Sequence, residues 1–468
     1  MSIFSSHAVY YCPVLIDSWS QRGGAPGQSD RSWASSHRLL LIGTAALTLL
    51  VLGVQAFASY KGYLGPVESL FGDYFLVPRS ATMPWVGLAL ALVGLNNKER
   101  IYAVSAAVVI DVVVGAIRWF SGGPLTMGTG GTWVLTAIAL YAVWKLSGER
   151  RLSVLHGVAL GALLIIAAKV AETWLEITIL VGTDVWDEYV FLADQALGNP
   201  SWVMGQIVDA MGPVGAAALD WIYVELPVAV IVVALYQVRK GWPSHHLLRT
   251  FLLIGLIGPI FYVLFPVVGP VFAFGPRGFG FQIGDYWPNI VPNFDFASPS
   301  SLPFDDAAPR NCMPSLHTAW AVALFIHSRS GPWWIRSLGS FWLVATLTAT
   351  LGFGFHYGVD LIAGAVLCLT LDAALRDPER GWGWFRVRLL IGGSALLAGL
   401  LLSYRFAAVQ MAEYPAIFGP LLMAVLVLMS VAYFATFFAR PGTALAVWGE
   451  RDGEWDAVTG ESPGLPAR

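Results

Sequence analysis

Long apolar runs, separated by short polar or Gly/Pro-rich stretches, fill the chain from about residue 39 to residue 439. A predominantly apolar run of about 20 residues crosses a bilayer as a helix. The pattern predicts twelve such spans, near 39–58, 82–96, 101–117, 131–146, 156–182, 214–238, 249–272, 313–328, 334–354, 358–375, 388–406 and 416–439. The expected fold class is therefore an all-α polytopic membrane protein of about twelve transmembrane helices. One polar loop, 273–312, is rich in Gly, Pro and Asn and too long for a simple connection. Loops of that length are commonly functional or act as lids.

Composition agrees with a membrane class. The chain is 56% hydrophobic and 12% charged, against about 25% charged in soluble domains. A net charge of −3 gives no reason to expect a nucleic-acid partner. Cys12, Cys312 and Cys368 lie far apart and match neither a metal spacing nor a disulfide framework. Residues 1–37 form a polar, cytoplasmic N-terminus carrying Arg22 and Arg31. No short apolar segment with a small-residue cleavage site precedes the first span, which is expected to be an anchor. The segment 440–468 reads as a cytoplasmic, disordered tail.

Charge then sets an orientation. With the N-terminus inside, Lys61, Arg79, Arg118, Arg277, Arg310 and Arg405 fall outside. Lys169 lies within a span, and all other lysines and arginines fall in inner segments. That is the bias of an integral protein of the plasma (inner) membrane with both ends inside.

Two motifs carry chemistry under this orientation. Pro314-Ser315-Leu316-His317 opens the eighth span, and His356-Tyr357-Gly358-Val359-Asp360 closes the ninth and opens the tenth. Both histidines then sit at the outer rim. A neutral imidazole can attack phosphorus, and an imidazolium can protonate a leaving oxygen. Asp360, four residues after His356, shares a face with it if the helix already runs there, and can orient the ring. Pro314 suits a first helical turn. Ser315 and the amides of that turn can hold an anion. A lone histidine at a membrane rim is an ordinary interfacial residue; two on one face with a carboxylate in register form a catalytic set. His327 is the contrast: about 15 Å from His317 at the helical rise, among inner arginines, it is assigned no chemistry.

The segment Cys312-Met313-Pro314-Ser315-Leu316-His317-Thr318 and the His356 motif resemble the second and third signatures of the type-2 phosphatidic-acid phosphatase superfamily. Leu316 and Tyr357 resemble its branch containing inositol phosphorylceramide synthases and related lipid phosphotransferases. Phe265-Pro266-Val267-Val268-Gly269-Pro270 is similar to that branch's proline-rich first signature. The resemblance implies His356 as nucleophile, Asp360 as its orienting partner and His317 as acid. It also implies metal-independent turnover through a phosphohistidine, with no cofactor and a lipid phosphate or phospholipid headgroup as substrate at the extracytoplasmic face. It implies a six-helix catalytic core over about 156–376, flanked by an N-terminal membrane region (38–155) and two C-terminal spans (377–439).

The sequence departs from the phosphatase pattern in two places. Ala349 and Thr350 stand where Ser-Arg is usual, and no Lys or Arg lies between Phe251 and Gly275. Arg310 and Arg277 are the outer candidates for meeting phosphate charge, and each reads equally well as an ordinary loop arginine. Ser315, Pro270 and Tyr357 complete the expected substrate-binding set. Asp305-Asp306 reads as a solvated pair and a poor magnesium site. Lys169, Glu172 and Glu176, at helical spacing, are expected to pair internally, and Asp111 with Arg118 likewise. Glu225 is expected to face the core. A twelve-span transporter or scaffold that retains the core without catalysis is the competing reading, although no repeat of two halves is evident.

Overall fold

The computed structural model describes residues 28–181, 184–241, 243, 245–275, 286–293, 298–303, 308–440 and 443–449. Arg277, Asp305 and Asp306 lie outside the described residues. All twelve apolar segments fold as helices, but fewer of them are built to cross a membrane. Among the described residues, seven helices are long and apolar enough, or eight if the bent pair Gly212–Val224 and Leu226–Arg239 is one span. This corrects the expectation of about twelve.

The reason is local in each case. Leu316–Ser328 has 13 residues, about 20 Å at the helical rise, short of a bilayer's roughly 30 Å. Thr82–Ala91 ends in a 3-10 turn at Leu92–Gly94. The pair at 212–239 is broken at Glu225 and bent by 51°, with Pro227 just inside the second helix, where its missing N–H costs nothing. Apolar periodicity also gave no sign of the short helices Pro66–Phe75, Asp187–Gln195 and Pro200–Ala210.

Helices Thr82–Ala91, Asn97–Phe120, Thr129–Lys145 and Gly148–Val181 share an N-terminal core that includes Leu88, Ala107, Leu135, Ile138 and Ile165. Small residues let them approach closely. A Cβ on Gly161 would lie 2.3 Å from the Gly87 carbonyl oxygen, so the two backbones touch, as intramembrane packing favours. A second, larger core surrounds Gly358–Leu375. That helix is the hub, since 78% of its apolar window is buried, the largest share of any span. Trp384–Phe406, Pro415–Phe438, Leu247–Leu264 and Leu316–Ser328 pack around it.

The intramembrane charges pair partly as expected. Lys169 pairs along its helix with Glu172 at 3.8 Å and more closely with Asp73, at 2.9 Å, where both side chains are fully buried; Glu172 also accepts from Ser69 Oγ. Asp111 does not pair with Arg118. It accepts from Trp85 Nε1 and the Gly128 and Gly130 amides, holding the start of Thr129–Lys145. Arg118 donates instead to Thr126, Thr129 and the Leu76 carbonyl. Glu225 accepts from Thr82 Oγ1 at 3.0 Å and so joins the two cores.

Candidate active site

Three segments converge on the N-terminal ends of Leu316–Ser328 and Gly358–Leu375. The Cys312 amide donates to the Val267 carbonyl (3.1 Å), Ser315 N to the Asp360 carbonyl (3.3 Å), and Val271 N to the Gly354 carbonyl (2.9 Å). Gly269 makes the contact possible. Its φ is +101°, and a Cβ there would lie 2.3 Å from the Phe355 carbonyl oxygen.

His356 precedes its helix, which starts at Gly358. The expectation of a shared helical face is therefore replaced by another device. Asp360, at the third helical position, reaches back: Oδ2 accepts from Tyr357 N at 2.9 Å, as an N3 acid does at a helix start. The same oxygen lies 3.4 Å from His356 Nδ1 and accepts from Cys312 Sγ at 2.6 Å. Burial pushes the Cys312 thiol up, so it stays a neutral donor. Burial pushes the His356 imidazole down to about 4, partly offset by a hydrogen bond to the Cys312 backbone. Ser201 Oγ donates to the His356 carbonyl (2.8 Å).

His317 lies in the first turn of its helix. Its Nδ1 is 2.9 Å from Tyr223 Oη, the rings stack at 4.0 Å, and Trp320 stands edge-on at 5.7 Å. Tyr223 also packs on Phe355, next to His356. Pro314 precedes the helix rather than opening it. Ser315 is the N-cap, and its oxygen accepts from Thr318 N at 3.3 Å and lies 3.0 Å from Thr318 Oγ1. Its hydroxyl is thereby engaged in capping. Pro270 opens the short buried helix Pro270–Phe274. Arg310 is fully buried; NH1 donates to the Ala308 carbonyl and its amide to Thr178 Oγ1.

Asp187 and Asp194 were not singled out from sequence, yet both are fully buried at the site. Asp187 accepts from Val268 N (3.0 Å), Gly269 N (2.9 Å) and Tyr357 Oη (2.8 Å). Burial raises its carboxyl to about 6 against those three hydrogen bonds. Tyr357, also fully buried, thus ties the proline-rich segment to the His356 motif. Asp194 accepts from Val359 N at 3.0 Å, at the start of the hub helix, and burial raises its pKa as well. A partial signal existed: no Lys or Arg lies between Lys169 and Arg239, so Asp187 and Asp194 have no basic residue close in sequence to pair with.

With this geometry described, comparison with known families is direct. Residues 190–374 match the PAP2 superfamily, and residues 38–177 match Domain of unknown function (DUF5933). The chain carries a PAP2 superfamily domain. No curated protein and no solved structure matches the chain. The PAP2 domain contains all three converging segments and both histidines, and it points to a phosphatase-type enzyme of the membrane.

Among the described residues of the PAP2 domain, two groups of donor atoms are close enough to hold a metal ion: Cys312, His356 and Asp360, and, at the other end of the hub helix, His245, His327 and Asp372. In the second group the hydrogen bonds argue against a metal. Leu247 N donates to Gln237 Oε1 at 2.9 Å, which turns the Gln237 amide nitrogen toward His327 Nδ1 at 3.3 Å. His327 Nε2 lies 2.8 Å from Asp372 Oδ1 and 3.3 Å from the Arg376 guanidinium, so a cation bound at this nitrogen would face a fixed positive charge. Asp372 also accepts from Thr250, Arg376 and Tyr433. The cluster reads as a clamp on the helix end.

Proposed function

We propose that the protein is a membrane lipid phosphatase or phosphotransferase, of the inositol phosphorylceramide synthase-like kind, acting through a phosphohistidine at the extracytoplasmic face without a metal. One observation carries the reading: Nδ1 of each imidazole faces a partner, His317 Nδ1 2.9 Å from Tyr223 Oη and His356 Nδ1 3.4 Å from Asp360 Oδ2, an ion-pair contact without a hydrogen bond. Nε2 is the atom of each ring proposed for chemistry. His356 Nε2 attacks phosphorus, the bond to the leaving oxygen breaks, and the His317 imidazolium delivers a proton to that oxygen. Water or a hydroxyl acceptor, deprotonated by His317, then takes the phosphoryl group and frees His356. Asp360 holds the His356 ring and stabilises its developing charge. Arg310, Arg277 and the first-turn amides at Leu316 and His317 are the groups proposed to meet the phosphate oxygens.

Sidedness follows from charge. Arg239, Lys240, Arg249, Arg329, Arg336, Arg376, Arg380, Arg386 and Arg388 cluster at the ends of the core helices remote from the histidines. The positive-inside bias puts that end in the cytoplasm and the histidines outside.

The test is to incubate purified protein with a labelled lipid phosphate in EDTA and quench in alkali, where phosphohistidine survives. Label is expected on the peptide containing His356, and mass spectrometry of the product tells water from a lipid or sugar acceptor. Turnover that EDTA abolishes, or that leaves no label on that peptide, would overturn the mechanism.

A further inference from the structure

Two cavities lie between the DUF5933 region and the PAP2 domain, within the membrane-spanning helices. The first cleft has a volume of about 580 Å³, the size of a small-molecule site. Leu47, Met83 and Ala168 wall it on the N-terminal side, and Pro227, Phe251 and Leu256 on the other. The polar side chains at its margins are few, Ser80, Glu172 and Arg249: Ser80 Oγ accepts from Met83 N, Glu172 accepts from Ser69, and the Trp320 indole N–H is bonded to the Phe251 carbonyl at 3.0 Å. A second cavity of about 600 Å³ shares Leu50 and Trp174 with the first and runs on to Leu264. Leu264 immediately precedes the proline-rich segment held by Asp187. Together the cavities make one apolar trough.

Position separates this trough from an ordinary gap between helices. Trp320 follows His317 by three residues in the same helix, so it lies about one turn, roughly 5 Å, from the bonded His317–Tyr223 pair, and Pro227 follows Tyr223 by four residues across the break at Glu225. One wall is the helix ending at Lys61, and only 11% of its apolar window is buried. That helix is held loosely, with bilayer on its outer side. Water gains nothing in so apolar a space, and hydrocarbon fits it.

We infer that the hydrocarbon chain of the lipid substrate lies in this trough, so that the DUF5933 region supplies half of the substrate's binding site. The inference rests on the lipid-phosphate reading above. The PAP2 histidines handle the headgroup, and the N-terminal region selects for a long apolar chain, which enters past the loosely packed first helix.

The experiment compares a long-chain and a short-chain alkyl phosphate with the full-length protein in nanodiscs. Ala168→Trp fills the cleft from one wall. Gly255→Leu fills it from the other, where a Cβ meets only Trp320, at 3.6 Å. Leu402→Trp, on a bilayer-facing surface away from the trough, is the control. In folded Ala168→Trp or Gly255→Leu protein, the long-chain to short-chain ratio of kcat/KM is expected to fall about tenfold or more and to stay constant in the control. An unchanged ratio overturns the inference and makes the trough a place for bulk lipid only. A long-chain phosphate with a photoreactive group at its chain end should cross-link wild-type protein within residues 163–175 or 249–256; cross-links confined elsewhere also overturn it. If wild-type protein turns over neither substrate, the enzymatic reading fails, and the cross-link map alone decides the trough.

Discussion

Asp187→Ala offers the sharpest test of how the site is held together. The carboxylate is fully buried and accepts three hydrogen bonds, from Val268 N, Gly269 N and Tyr357 Oη. Alanine leaves three donors without partners in a dry interior. Each costs about 1–3 kcal/mol, so the loss is about 3–9 kcal/mol, less whatever water entering the vacated space restores. Tyr357→Phe removes only the phenol and leaves both amides bonded to Asp187, at a cost of about 1 kcal/mol. Because the amides belong to the proline-rich segment and Tyr357 follows His356, the damage should reach the nucleophile. A shift of about 1 Å at a reacting group costs roughly 10²-fold. The expected outcome is therefore kcat down about 10²-fold or more in Asp187→Ala, with KM changed far less, and a drop within about tenfold in Tyr357→Phe. Thermal unfolding measured alongside separates misplacement from loss of fold. Folded Asp187→Ala protein with wild-type kcat would refute the argument that this carboxylate positions His356.

His356→Ala should abolish turnover and phosphoenzyme formation, while His317→Ala should slow turnover by about 10²- to 10⁴-fold, and by less with a good leaving group; near-normal activity in folded His356→Ala would sink the mechanism. Burial holds His356 at about 4, and the attacking ring must be neutral. Activity corrected for substrate ionisation should therefore persist as pH falls through 6.5 and collapse only toward 4, and an acid limb near 6.5 would mean the ring is solvated. By the same shift, the stability gained from the buried neutral ring is present above pH 6.5 and is lost as pH falls toward 4. A cysteine at exposed Ser300, whose native residue is bonded to Glu188 beside the site, should react with an impermeant maleimide in intact cells, and one at exposed Ser330 should not. The reverse pattern would place the histidines in the cytoplasm.

The two histidine motifs were legible because the chemistry is local: a few residues fix their types and spacing. The span count was not, because hydropathy cannot distinguish an apolar helix of 13 residues such as Leu316–Ser328 from the end of a longer one. Nor does it report a break such as that at Glu225. Long-range partners were equally hidden. The Lys169–Glu172 pair along one helix was legible, but the closer buried partner, Asp73, lies in a short helix that the apolar pattern does not announce. The bond of Tyr223 to His317 spans 94 positions. Asp187 and Asp194 acquire meaning only when the fold brings amides of distant segments onto them.

The hub helix has one more consequence. It is fastened to other segments at both ends: at Asp360 by Cys312, and at Asp372 by Thr250, His327 and Tyr433. A helix steadied by lipid alone answers a thicker or thinner bilayer by tilting. This one cannot slide along its axis without breaking polar contacts at one face or the other. Asp360 therefore keeps its height relative to the packed core while the surrounding lipid thins or thickens to match.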